Sequence, residues 1–213
     1  MEIVCLLFDG ITALDIVGPY EVLQRLPEAE VKFVGRSAGE IRTDNKFLAL
    51  VADYSLDEIK GADVLVVPGG FATRALEEDD DLLAWIRAID ATTTWTASVC
   101  TGSMLLAAAR LLEDKEATTH WASLERLSEY GAIPTNQRVV EQGKIMTAAG
   151  VSAGIDMALT LTARIAGDEF AQAVQLGIEY DPQPPFDAGS VTKAPERVVG
   201  LLRAMYGARD TSN

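Results

Sequence analysis

Short runs of apolar residues alternate along this chain with segments in which apolar positions recur every three or four residues. The runs predict strands buried on both faces and the periodic segments predict helices with one buried face. Their alternation predicts an α/β sandwich built on a mostly parallel central sheet. Residues 3–8 are apolar throughout, as a central strand requires, and Asp9-Gly10 ends the run. Gly18-Pro19 precedes YEVLQRL, so a helix is expected to open there, where proline in a first turn sacrifices no hydrogen bond. Residues 31–34 read as a second strand and 41–51 as short antiparallel pieces. A buried strand over 63–67 ends in Pro68-Gly69-Gly70, and a β-branched run over 93–99 ends at Cys100. Helices are expected over 80–89, 101–112, 122–130, 151–165, 168–179 and 195–206. A short strand near 117–119 and a hairpin over 138–147 complete the pattern, and three prolines between 181 and 190 favour extended backbone.

At 213 residues the chain fits one compact domain over 1–213, with no internal repeat or linker visible. Its 18 basic and 32 acidic residues give a net charge of -14, a field that repels phosphate backbones and anionic lipids. Nucleic-acid and membrane-surface roles are therefore not expected, and a small-molecule substrate is. No stretch approaches the roughly 18 apolar residues of a membrane span. The opening residues MEIVCLLFDG lack the basic start of a signal peptide. The only cysteines, Cys5 and Cys100, have no CxxC spacing, and the single histidine leaves little for a metal site, so neither metal nor cofactor is expected. A reducing cytoplasm, with both thiols free, is the expected location.

Ligands of open α/β sheets collect at the carboxyl ends of the strands, and three features fall at such ends: Asp15, Gly69-Gly70 and Cys100. Cys100 stands in SVCTGS between a strand and a helix, the arrangement of a nucleophile elbow, where helix N–H groups favour a thiolate. Gly102 permits close backbone approach, and the Thr101 N–H could face developing negative charge. The same four residues equally describe a structural cysteine opening a helix, which is how Cys5, inside a strand, reads outright. Asp15, among apolar residues in LDIVGP, reads either as a helix cap or as a carboxyl in an apolar crevice, its pKa raised by burial and by a neighbouring anion. Gly69-Gly70 is a simple turn or a backbone aimed at the crevice. His120, in ATTHWA, is a structural histidine or a residue lining the site.

In combination and order, FDGITALDIVGP, VLVVPGG, SVCTGS, ATTHW, GVSAGIDMALTL and EYDPQPPFDAGS resemble the ThiJ/PfpI superfamily. That resemblance implies a flavodoxin-like fold, like that of the class I glutamine amidotransferases, and a homodimer. Within the superfamily the chain looks most like the isocyanide hydratases, which pair an aspartate in LDxxGP with cysteine-threonine at the elbow. By that likeness Cys100 is the nucleophile, Asp15 the acid/base partner and Thr101 its neighbour, while Gly69, Gly70 and His120 line the substrate side. The reaction implied is hydration of an isocyanide to an N-substituted formamide through a thioimidate on Cys100. The alternatives are a glyoxalase or deglycase-like enzyme acting on α-oxoaldehydes, and a cysteine redox sensor without turnover. Thr101 stands where PfpI-type proteases carry histidine, and Asp15 where the stress-response and glyoxalase branch carries glutamate. Regulators of the superfamily append a helix-turn-helix region, whereas only 23 residues follow Ser190.

Overall fold

A computed structural model describes residues 1–210. They fall into two compact units, Met1–Ile178 and a second from Glu179 onward.

The first unit opens with β1 (Glu2–Leu6), α1 (Ala13–Leu23) and β2 (Glu30–Gly35), followed by the hairpin β3 (Gly39–Arg42) and β4 (Ala49–Ala52). An edge strand β5 (Tyr54–Ser55) precedes β6 (Val64–Val67), α2 (Thr73–Leu76), α3 (Asp80–Asp90) and β7 (Trp95–Val99). Then come α4 (Gly102–Ala108), β8 (Glu116–Ala117), a 3-10 segment (Trp121–Tyr130) and β9 (Ile133–Pro134). The hairpin β10 (Val139–Gln142) and β11 (Ile145–Ala148), with α5 (Ala153–Ala166) and α6 (Asp168–Gly177), closes the unit. The second unit holds α7 (Glu196–Asp210).

Seven strands make one sheet in the order β10-β11-β7-β6-β1-β2-β5, parallel except for β10. Val64 to Val67 are wholly buried, as the apolar run required, because helices cover both faces. Helices α1, α5 and α6 pack together as one group, and α4 packs with α2, α3 and the 3-10 segment as another. The chain builds outward from β1 through β2, then returns to add β6, β7 and β11 on the other side. Such a reversal leaves a crevice at the carboxyl ends of the two strands where it occurs.

Three elements differ from the sequence expectation. Helix α1 begins at Ala13, not at Gly18-Pro19, so both residues lie inside it. The segment LDIVGP is apolar on nearly every side because it is wedged against α5, where a Cβ on Gly18 would come within 3.0 Å of Ile155. Helix α4 stops at Ala108 rather than running to 112, since Arg110 turns into left-handed backbone at φ 62°. Residues 121–130 wind as a 3-10 helix, and the strand expected near 117–119 is the short β8, paired with β9 apart from the main sheet.

Candidate active site

The carboxyl ends of four neighbouring strands, β11, β7, β6 and β1, bring together the residues singled out by position. Asp15 comes from the first turn of α1, whose N-cap is Thr12, so the aspartate is not the cap. It is wholly buried. The Gly69 N–H donates to its Oδ2 at 2.9 Å, and Oδ1 meets no aligned donor among the described residues. Gly69 leaves no room for a side chain, because a Cβ there would lie 2.5 Å from the Thr101 nitrogen. Gly70, at φ 153°, adopts backbone that favours glycine and would set a Cβ 2.3 Å from the Gly10 carbonyl. Its N–H, rather than facing the crevice, donates to Thr101 Oγ1 at 3.0 Å, and the same hydroxyl donates back to the Gly70 carbonyl at 3.2 Å. One threonine thus ties the turn after β6 to the turn after β7.

Cys100 sits at φ 57°, a left-handed conformation that costs a non-glycine residue free energy and must be held by its surroundings. Its N–H is shared between the Ala148 and Ala149 carbonyls, at 3.1 and 3.0 Å. Its own carbonyl accepts from Thr119 Oγ1 at 2.8 Å and from Ser103 Oγ at 3.1 Å. Only 6% of the residue is exposed. The backbone N–H groups of Thr101 and Val151 and the Asp15 carboxyl all lie near enough to the sulfur to act on it electrostatically. Sequence reasoning did not single out Val151 or Thr119 for this role, because a backbone donor and a hydroxyl behind the turn carry no motif of their own.

Opposing influences act on the sulfur. Burial first, and the Asp15 charge second, push the Cys100 thiol well above its usual range, and the two N–H donors only partly oppose them. Burial pushes the Asp15 pKa up to about 7, against the influence of the Gly69 N–H and the Cys100 thiol, with the Asp44 charge adding to the rise. Each of the two groups shifts the other, so thiol and carboxyl titrate as a pair. Cys5, in β1, is pushed up to about 12 by burial alone, as suits a structural thiol.

His120 borders this arrangement. Its Nδ1 accepts from the Ala122 N–H at 3.3 Å, which leaves the ring proton on Nε2, and burial lowers its pKa, so the ring is neutral at pH 7. The ring lies against Gly150, where a Cβ would come within 2.8 Å of it, one residue before the Val151 N–H that reaches Cys100. A further cluster flanks the site: Glu77, just after α2, accepts from Arg126 at 3.2 and 2.6 Å and from the Tyr130 hydroxyl at 2.7 Å. Thr73, in the same helix, donates to the Gly70 carbonyl at 2.8 Å. Among the described residues, no group of three or more His, Cys, Asp or Glu side chains is placed to hold a metal ion.

Cys100, at left-handed φ in the strand-to-helix turn after β7, thus lies beside the buried carboxyl from the first turn of α1. Residues 1–164 match the DJ-1/PfpI family, and the chain belongs to it. An isonitrile hydratase of Pseudomonas putida is 44% identical over 203 residues, 95% of this chain and 89% of that protein. An HTH-type transcriptional regulator of Pseudomonas aeruginosa is 33% identical over 130 residues, covering 60% of this chain and 38% of the regulator. Among solved structures, a ThiJ/PfpI family protein from Pseudomonas syringae superposes with a TM-score of 0.93 at 36% identity, over 97% of this chain and 86% of that one. Drosophila melanogaster DJ-1beta, at 21% identity and a TM-score of 0.75 over 84% of this chain and 97% of its own, shares the fold.

Proposed function

We propose that this protein hydrates isocyanides to N-substituted formamides, with Cys100 as nucleophile and Asp15 as both acid and base. The observation that carries the reading is the buried Asp15 carboxyl, its pKa raised by burial to about 7, beside the Cys100 sulfur. It occurs in a chain 44% identical over 95% of its length to an isonitrile hydratase.

The terminal carbon of an isocyanide accepts a nucleophile and then a proton at the same atom. One thiol and one carboxyl supply both. As the Cys100 S–C bond forms, the thiol proton passes to Asp15 and on to that carbon, giving a thioimidate, R–N=CH–S. No ionised thiol need persist in the resting enzyme, since the carboxylate takes the proton as the sulfur attacks. The Thr101 and Val151 N–H groups, already aimed at the sulfur, follow the negative charge that passes through it. Water then adds to the C=N carbon and gives up both of its protons, one to the nitrogen and the other to the Asp15 carboxylate, which holds it for the sulfur. The C–S bond breaks as the carbonyl forms, and the sulfur recovers its proton. The sum is one isocyanide and one water in, one formamide out. Gly69 positions the Asp15 carboxyl, Gly70 and Thr101 hold the two turns in register, and His120 lines the substrate side through its neutral ring.

We further infer that residues 1–213 act as one functional domain, that the chain works as a homodimer, and that it resides in the cytoplasm. Its two free cysteines suit a reducing compartment. The test of function is a formamide-formation assay on a panel of isocyanides, run beside methylglyoxal. Turnover of isocyanides alone is the expected result, and turnover of methylglyoxal alone, or of neither substrate, would overturn the reading.

A further inference from the structure

The backbone of Cys100 is tethered on both edges by segments distant in sequence. Its N–H is shared by the Ala148 and Ala149 carbonyls after β11, and its carbonyl accepts from the Thr119 hydroxyl at 2.8 Å, 19 residues further on. Tethers are needed, because a non-glycine residue keeps φ 57° only where its surroundings over-determine it. The other donors to that carbonyl are the Ser103 hydroxyl at 3.1 Å and, more weakly, the Ser103 N–H at 3.5 Å. Both belong to α4 and move with it. Among the described residues, Thr119 is therefore the donor that reaches this carbonyl from outside the elbow. It is only 1% exposed, so bulk water does not compete for the bond.

The carbonyl matters through what shares its plane. A trans peptide is planar, with the C=O on one edge and the following N–H on the other. Opposite the Cys100 carbonyl stands the Thr101 N–H, which lies near enough to the sulfur to act on it. Rotating this plane about its two Cα atoms leaves both side chains in place but swings the N–H away from the sulfur. The bonds between the Thr101 hydroxyl and Gly70 hold a side chain and do not oppose that rotation. The Thr119 hydroxyl does oppose it, since its partner is the carbonyl oxygen itself. Thr119's own segment is fixed without this bond: the Thr135 N–H donates to the Ala117 carbonyl at 2.9 Å, and the Thr118 N–H to Thr147 Oγ1 at 3.0 Å.

We propose that Thr119 is a positioning residue of the nucleophile, its hydroxyl fixing the Cys100–Thr101 peptide plane so that the Thr101 N–H stays turned toward the sulfur. This rests on the nucleophilic role of Cys100 put forward above. As the S–C bond forms and charge passes through the sulfur, the donor is then already in place. The test compares Thr119→Val, which keeps the volume and removes the hydroxyl, with Thr119→Ser, which keeps the hydroxyl. The valine variant should lower kcat for an isocyanide about tenfold or more with KM within about twofold, and the serine variant should stay within about threefold of native. A second readout needs no isocyanide: the rate of Cys100 alkylation by iodoacetamide, assigned by peptide mapping, should fall in the same order. Slower alkylation of the valine variant, in a protein that turns over no isocyanide, would overturn the proposed reaction and leave the positioning role standing. An unchanged alkylation rate in the valine variant would overturn the positioning role, as would a serine variant as slow as the valine one or a loss carried by KM alone. A native Cys100 that resists the reagent would overturn it too, there being no nucleophile to serve. Should the valine variant not fold, Thr119→Ala carries the same comparison.

Discussion

Asp15 holds the working balance of the site. Burial raises its pKa from 3.8 to about 7, so the folded chain keeps a proton that the unfolded chain releases above about pH 4. The stability this contributes is full below pH 4, falls as pH rises toward 7, and stays lost above it, a difference on the order of 4 kcal/mol. An Asp15→Asn variant keeps an oxygen for the Gly69 N–H and removes the titration. Denaturant melts should find it more stable than the native protein at pH 8 by a few kcal/mol, converging toward pH 4; parallel pH profiles would contradict the assignment. The same ionisation governs turnover. Between pH 6 and 8 the native kcat/KM for an isocyanide should rise with a midpoint near 7, as the doubly protonated pair loses its first proton. A flat profile would mean that Asp15 does not exchange protons in the reaction. At this scale the sequence was largely legible: Cys100, Asp15 and Thr101 stand out because each ends a strand or opens a helix in a recognisable motif. What fastens the turn was not legible: the Thr119 hydroxyl that donates to the Cys100 carbonyl lies 19 residues further on and carries no motif.

At the scale of elements, the site is a junction of turns held from outside. Glu77 is buried, receives two guanidinium hydrogen bonds and a phenol, and sits on the helix whose Thr73 fastens the Gly70 carbonyl. Burial, and after it the hydrogen bond to Glu77, pushes the Tyr130 hydroxyl up to about 12. Replacing Arg126 with Met leaves a buried carboxylate without its cation. Thermal or denaturant unfolding should show a loss of about 2 to 4 kcal/mol, the lower part of the usual range because the guanidinium is a quarter exposed. An unchanged midpoint would show that the ion pair contributes nothing. None of this was visible in the sequence. The segment WASLERLSEY fits an α-helical spacing well enough, and only the partner 49 residues earlier reveals which face it presents. The start of α1 was misplaced for a related reason: when a helix is buried on most sides, amphipathic periodicity, the signal used to find it, is absent. The strands of the parallel sheet, by contrast, were read correctly, since burial on both faces writes a continuous apolar run that needs no partner to interpret.

For the whole molecule, the surplus of acidic residues places most of the repulsion on the first unit and leaves the second nearly neutral. No helix among the described residues is long and apolar enough to cross a membrane. The central claim is the chemistry at the carboxyl edge of the sheet. It is tested most directly by intact-protein mass spectrometry of enzyme quenched during turnover of a slow isocyanide, followed by peptide mapping. The account predicts a mass gain equal to one isocyanide molecule, located on Cys100 and absent from a Cys100→Ala variant that forms no formamide. Formamide produced at the native rate by that variant would contradict it.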